Sequence, residues 1–455
     1  MANFQFIAIF TILFFTFPSA VHPLRFGRPG PLPPSRDPFY VPPPGYENTT
    51  SPGDIIRHRK TPFPISAFSL VPIKLYGVHQ ILYRSSDSFG NPTTAITSIL
   101  IPYNADRTKL VSYQVVEDAA FVDCAPSYAL QQHSSPGGAF GTIIIQSELL
   151  LITAALQKGW IVALPDYEGP TAAFLANWRA GYAILDGIRA ALNSAPFTRI
   201  SPRATITLWG TSGGSMVSGF AAELHQAYAP ELNIVGAALG GIVPQITTTL
   251  EALNEKFDAG IVVSGILGLS HEYPELRELL NTTLVTSTRE KFMKAETQCS
   301  GANSLSFNHE NIFKYFHGGQ SSNVFAHPTV KRILANNSLP HSAPKAPIML
   351  YKSLNDEISP IADTDKMVEK WCAWGATVVY KRDRISIHTV LAITGAPDAI
   401  IWLGDRMNGV PLRRGCQIST IFMTLLQPGA LKAMSKAIID NLLILLGQRV
   451  GRFRV

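Results

Sequence analysis

Charge is scarce in this chain. Only 15% of its 455 residues are Asp, Glu, Lys or Arg, which excludes a coiled coil or a charge-rich disordered chain. The small positive excess of +6 is spread along the sequence, and without a basic run there is no electrostatic footprint for nucleic acid. Cysteine is limited to Cys124, Cys299, Cys372 and Cys416. None of them forms a C-x-x-C pair, so a zinc site is not expected. Long apolar runs are missing as well. The uncharged stretch Phe4 to Phe17 is too short for a comfortable membrane span. There is no internal repeat.

What remains is the make-up of a large, loop-rich globular protein: 46% hydrophobic residues, with 34 Gly and 33 Pro. The first twenty residues carry no charge and end on Ser19-Ala20, small residues that suit a signal peptidase. A signal peptide over 1–20 and secretion follow, with a retained signal anchor as the alternative. In an oxidising compartment four cysteines imply two disulfides, with three connectivities open. Asn48, Asn281 and Asn336 stand in N-x-S/T sequons and are candidate glycan sites.

Residues 21–60 form a proline-rich segment that cannot supply a core, either an extended arm lying on the domain or a short pro-segment. Beyond it, β-rich segments ("AITSILIPYN", "LVSYQVVED", "WIVALPDYEGP", "TITLWG") alternate with helical ones ("SELLLITAALQKG", "TAAFLANWRAGYAILDGIRAALNS", "GSMVSGFAAELHQAYAPEL"). This alternation predicts an α/β fold with a mostly parallel sheet and helices on both faces. Residues 61–235 make the first part of that core. From 236 to 340 the pattern turns helical and glycine-rich, as expected of an inserted cap, with "STRE" (Ser287 to Glu290) as a capping box. Strands "APIMLYKS" and "ATVVYKRD" and the closing helix "SKAIIDNLLILLG" place the second part of the core at 341–455.

One motif carries chemistry. Gly210-Thr211-Ser212-Gly213-Gly214 is the single G-x-S-x-G of the chain, and it lies between a strand and a helix as a nucleophile elbow requires. In α/β-hydrolases the acid and then the histidine follow the serine along the chain. Beyond His341 the only histidine is His388, in "RDRISIHTVLAITG". Asp356, just past the strand in "PIMLYKSLNDEISP", is the expected acid, with Glu357, Asp363 and Asp365 as competitors. Ser212 is then the nucleophile, His388 the general base and Asp356 its orienter. The oxyanion donors are expected at Gly213, directly after the serine, and at Asp118, after an early strand.

Several segments beyond the triad, "RDPFYVPPPGYE", "YQVVEDAAFVDCAPSYAL", "PDYEGPTAAFLANWRAGYAILDGIRAAL", "YKSLNDEISP" and "ISIHT", together resemble the fungal secretory lipases of the Candida antarctica lipase A type. The resemblance covers most of residues 35 to 420. It implies an α/β-hydrolase fold with a helical cap inserted after the nucleophile helix, and hydrolysis of triacylglycerols or other esters without a cofactor or metal. It carries the triad onto Ser212, Asp356 and His388 and the oxyanion donors onto Asp118 and Gly213. It pairs Cys124 with Cys299 and Cys372 with Cys416, the first bond tying the cap to the core. The partner it implies is a lipid or ester substrate at a lipid–water interface, with no nucleic acid and no stable protein partner. Thr211 departs from the family, where an aromatic residue is common at that position. "GIVVSGILGLS" (Gly260 to Ser270) is either the lining of an acyl tunnel or ordinary core. The same triad also serves a carboxylesterase or acyltransferase on smaller esters, or a serine peptidase. A non-catalytic relative that binds partners would have lost a triad residue.

Overall fold

The computed structural model describes residues 30–319 and 324–452. The expected signal peptide and the first residues of the arm lie outside them. Among the described residues no helix is long and apolar enough to cross a membrane.

Ten strands form one sheet. They are β1 (Ile55–Lys60), β2 (Gly77–Ser86), β3 (Pro92–Ile101), β4 (Asp106–Gln114), β5 (Trp160–Pro165), β6 (Thr205–Thr211), β7 (Ile234–Gly240), β8 (Ile348–Ser353), β9 (Val378–Asp383) and β10 (Cys416–Ile421). Their spatial order is β1-β2-β3-β5-β4-β6-β7-β8-β9-β10. Pairings from β5 through β10 are parallel and those among β1, β2, β3 and β5 antiparallel. The fold is that of an α/β-hydrolase.

Strand periodicity explains the layers. Ile206 and Leu208 of β6, with Ile348 and Leu350 of β8, pack on one face against helices such as Asn177–Asn193 and Ser212–Tyr228. Trp209, Met349 and Tyr351 point the other way, toward helices Leu149–Gln157 and Ala396–Met407. The central parallel strands β5 to β8 are buried on both faces, so each reads as a continuous apolar run, whereas the edge strand β10 is largely exposed.

Several local expectations change. The long helical pattern from Thr171 starts only at Asn177. Ala172 (φ +49°) and Leu175 (φ +69°) are left-handed and break the helix, leaving Phe174 and Leu175 buried on helix Ala259–Glu272. That contact explains Gly265 and Gly268 of "GIVVSGILGLS", while Gly260 packs on the Asn303 backbone. A Cβ at Gly265 would come within 2.7 Å of Leu175 Cδ1, and one at Gly268 within 2.6 Å of Phe174 N. "STRE" is not a capping box, because helix Thr286–Met293 begins one residue before Ser287 and its N-cap is Val285. The expected break at 235/236 falls inside β7, so the helical excursion starts at helix Ile246–Leu253 and runs to helix Pro328–Asn336.

The described part of the arm lies on the sheet. Asp37 is buried and pairs with Arg59 of β1 at 2.6 Å, while Phe39 packs on Leu82 and Ile96. Asn48, Asn281 and Asn336 are all exposed.

All four cysteines are paired, Cys124 with Cys299 and Cys372 with Cys416, across 175 and 44 residues of chain. Loop-closure entropy assigns them about 5 and about 4 kcal/mol. Cys124 and Cys299 are also fully buried. Replacing that pair by serines is expected to lower the melting temperature more than replacing Cys372 and Cys416. Calorimetry of the two double variants checks this order.

Candidate active site

The carboxyl ends of the parallel strands are where ligands meet an open α/β sheet, and the expected residues converge there. β6 ends at Thr211 and helix Ser212–Tyr228 begins at once. Ser212 has φ +48°, a strained left-handed conformation for a residue with a side chain. The turn closes because its neighbours lack a Cβ. One at Gly210 would lie 2.3 Å from Gly214 O, and one at Gly214 would lie 2.0 Å from Gln114 O on β4. The helix therefore starts jammed against the sheet with the serine lifted clear.

His388 opens helix His388–Thr394 after β9. Its Nε2 lies 2.8 Å from Ser212 Oγ and its Nδ1 lies 2.8 Å from Asp356 Oδ2. Asp356 Oδ1 accepts the N–H groups of Ile358 and Ser359 at 3.0 and 2.7 Å. Burial works to raise its carboxyl, but the hydrogen bond and charge of His388 and the charge of Lys352 win and hold it well below the usual range. The competing acids are engaged elsewhere. Glu357 accepts the His388 backbone N–H, Asp363 accepts the Thr248 hydroxyl, and Asp365 pairs with Arg382 and Tyr380.

Asp118 also has a left-handed backbone, φ +48°. Its buried Oδ1 has no hydrogen-bond partner and faces Gly213, where a Cβ would come within 2.3 Å of it. Gly213 N–H belongs to the first turn of its helix and has no intrahelical acceptor. The carboxyl of Asp118 is pushed up to about 7 by burial, with the charge of Asp258 adding.

Ser212, Gly213 and Asp118 share a cleft of about 420 Å³ with Phe174, Leu175, Met216, Val243, Ile246, Leu250, Leu253, Ile261 and Ile358. The lining is mostly apolar, with Thr249 as a further polar group. From "GIVVSGILGLS" only Ile261 lines it, so that run is core packing. Helix Ile246–Leu253 supplies the wall instead. A second apolar groove of about 630 Å³, under helix Ala430–Leu445, shares no lining residue with the cleft. Among the described residues no cluster of His, Cys, Asp and Glu is arranged to hold a metal.

Two partners of the site went unread in the sequence. Lys352, fully buried on β8, lies 2.8 Å from Asp356 Oδ2. Glu148 accepts the Thr211 hydroxyl with one oxygen and the Val116 N–H with the other. Thr211 thus leaves no gap, because it is tied through Glu148 to the strand extension that carries Asp118. A charged residue inside an apolar strand was the available signal for Lys352. No local pattern marks Glu148.

Buried carboxyls gather under the site and beyond it. Burial is the largest cause in each case and lifts Asp118, Glu148, Asp166 and Glu223 to about 7, from ordinary values of 3.8 and 4.5. Between those limits the folded chain binds more protons than the unfolded one, so stability falls as pH rises through that window. Asp356 has the opposite sign, but its contribution is lost only at lower pH; His79, His225 and His341, lowered from 6.5 by burial, also oppose the four carboxyls over part of the window. The melting temperature is expected to be higher near pH 4.5 than near pH 8, as a calorimetric pH series would show. A rise toward pH 8 would contradict this balance.

The family model for secretory lipases matches residues 132–415. The chain is 62% identical over 440 residues to Lipase A of Arthroderma benhamiae, covering 94% of each. It is 40% identical over 409 residues to Lipase 4 of Candida albicans, covering 87% of this chain and 86% of that one. The structure superposes on Candida antarctica lipase A with a TM-score of 0.79 at 26% identity, over 93% of this chain and 99% of that one. On these matches, and with an elbow serine facing a histidine and a buried aspartate, the chain belongs to the secretory lipase family.

Proposed function

We propose that this protein is a secreted serine lipase that hydrolyses triacylglycerols and other fatty-acid esters through an acyl-enzyme. The observation that carries the reading is the unbroken line Ser212 Oγ–His388–Asp356, with 2.8 Å at each step, opening onto an apolar cleft. Ser212 Oγ attacks the ester carbonyl while His388 Nε2 takes its proton. Asp356 fixes the tautomer and faces the imidazolium that forms. The oxyanion sits against the N–H groups of Gly213 and Asp118. His388 then gives its proton to the leaving alcohol, and water, activated by the same ring, releases the fatty acid and restores Ser212.

The acyl chain fits between Val243, Ile246, Leu250 and Leu253, and the helical excursion 246–336 acts as a cap over it. Exposed Ile385 and Ile387, beside His388, together with Leu354 and Phe257, give this end of the molecule an apolar rim suited to a lipid–water interface. Export with removal of residues 1–20 and glycans on Asn48, Asn281 and Asn336 accord with two disulfides and three exposed sequons. An acyltransferase would need the same triad and an alcohol acceptor in place of water.

Ser212→Ala is expected to lower ester hydrolysis roughly 10³-fold or more at unchanged melting temperature, and Asp356→Asn to be similarly severe. Emulsified triolein against p-nitrophenyl acetate tests the substrate class. No release of oleate would leave only a small-ester hydrolase.

The neutral Asp118 carboxyl is a hydrogen-bond donor. As pH rises through about 7 it ionises and sets a negative charge beside the oxyanion, so the rate declines. Asp118→Asn is expected to keep the backbone N–H and flatten that decline, read from kcat/KM between pH 5 and 9. An unchanged decline would assign it to another group.

A further inference from the structure

Lys352 is a lysine with no exposed surface on the central strand β8. An ammonium in such a place is costly unless its hydrogen bonds are made, and a methionine would fill the same slot without that cost. Its Nζ lies 2.8 Å from Asp356 Oδ2 and donates to the Ile242 carbonyl at 2.9 Å. The same Oδ2 is 2.8 Å from His388 Nδ1. One carboxylate oxygen thus stands between a fixed cation and the ring that becomes cationic during the reaction. Ile242 follows Gly241, whose left-handed backbone (φ +58°) brings the chain so close to the ring that a Cβ there would lie 3.1 Å from His388 Cε1. Ile242 also precedes Val243, a wall of the acyl cleft.

We propose that Lys352 is a positioning residue of the hydrolytic site, locking the Asp356 carboxylate to the loop after β7 and setting the acid limb of the activity profile with its fixed charge. The proposal rests on Ser212, His388 and Asp356 working as the triad. The other charged groups around the network are acids. Glu357 is bound to the His388 backbone N–H, Asp363 to Thr248, and Asp258 to Ser304. Burial lowers the Lys352 ammonium, and the facing carboxylates, Asp356 first, work against that shift. When His388 accepts the serine proton, a second positive charge forms across Asp356 from Lys352. Removing Lys352 lifts that opposition between like charges, so the acid limb of the activity profile moves to higher pH.

The test is kcat/KM on soluble p-nitrophenyl butyrate from pH 4 to 8 for Lys352→Met and Lys352→Gln, with melting temperatures alongside. Lys352→Gln keeps a donor for Ile242 and serves where the methionine variant does not fold. The acid limb is expected to move up by about one pH unit, an approximately tenfold loss on that limb with a smaller loss on the plateau. An unmoved limb, or an equal loss at every pH that tracks the melting temperature, would overturn the proposal. Ser212→Ala and Asp356→Asn in the same assay separate the two readings. Full activity in those variants would remove the triad itself, whereas triad-dependent activity with an unmoved limb would remove only the role of Lys352.

Discussion

The site depends on one close approach, that of helix Ser212–Tyr228 to the sheet. Gly214 sits where any Cβ would strike Gln114 O of β4, and Gly210 where one would strike Gly214 itself. These contacts leave Ser212 a single backbone conformation, at φ +48°, that an isolated chain would rarely adopt. The strain is held by strands buried on both faces, with Trp209 and Leu208 of β6 fully enclosed. The line from Ser212 Oγ through His388 to Asp356 starts from a serine fixed in this way.

Around it, loops that are far apart in sequence are joined by buried polar groups instead of by surface contacts. Glu148 links the elbow to the segment carrying Asp118, and Lys352 links the acid to the loop that backs the histidine. Both are charged-type side chains inside a low-dielectric interior, where a satisfied hydrogen bond is strong and an unsatisfied one costly. Such groups specify geometry more than they add stability. The disulfide Cys124–Cys299 acts on a larger scale, joining the segment that follows Asp118 to the helical excursion that walls the cleft.

Much of this was legible in the sequence because the signals are local. The Gly-x-Ser-x-Gly turn needs small residues at fixed offsets, parallel strands read as apolar runs, and His388 was the one histidine late enough in the chain. The choice of Asp356 over Asp363 and Asp365 followed from its place directly after β8. What stayed hidden depends on long-range packing. The left-handed Ala172 and Leu175 break a helical pattern where Phe174 and Leu175 pack on helix Ala259–Glu272, a contact some ninety residues away in sequence. β7 carries a glycine and three alanine or glycine neighbours that read as the start of the glycine-rich helical block until Ala237, Ala238 and Leu239 are seen to be buried in the sheet. Glu148 and Thr211 meet across 63 residues, a distance at which no periodicity speaks.

The central claim is that Ser212 is the atom acylated. The most direct measurement is peptide mass mapping after reaction with a p-nitrophenyl alkylphosphonate, which mimics the tetrahedral intermediate. The account predicts one stoichiometric adduct, on the peptide bearing Ser212, with ester hydrolysis lost in step with labelling. An adduct on another residue, or continued hydrolysis by protein fully labelled at Ser212, would contradict it.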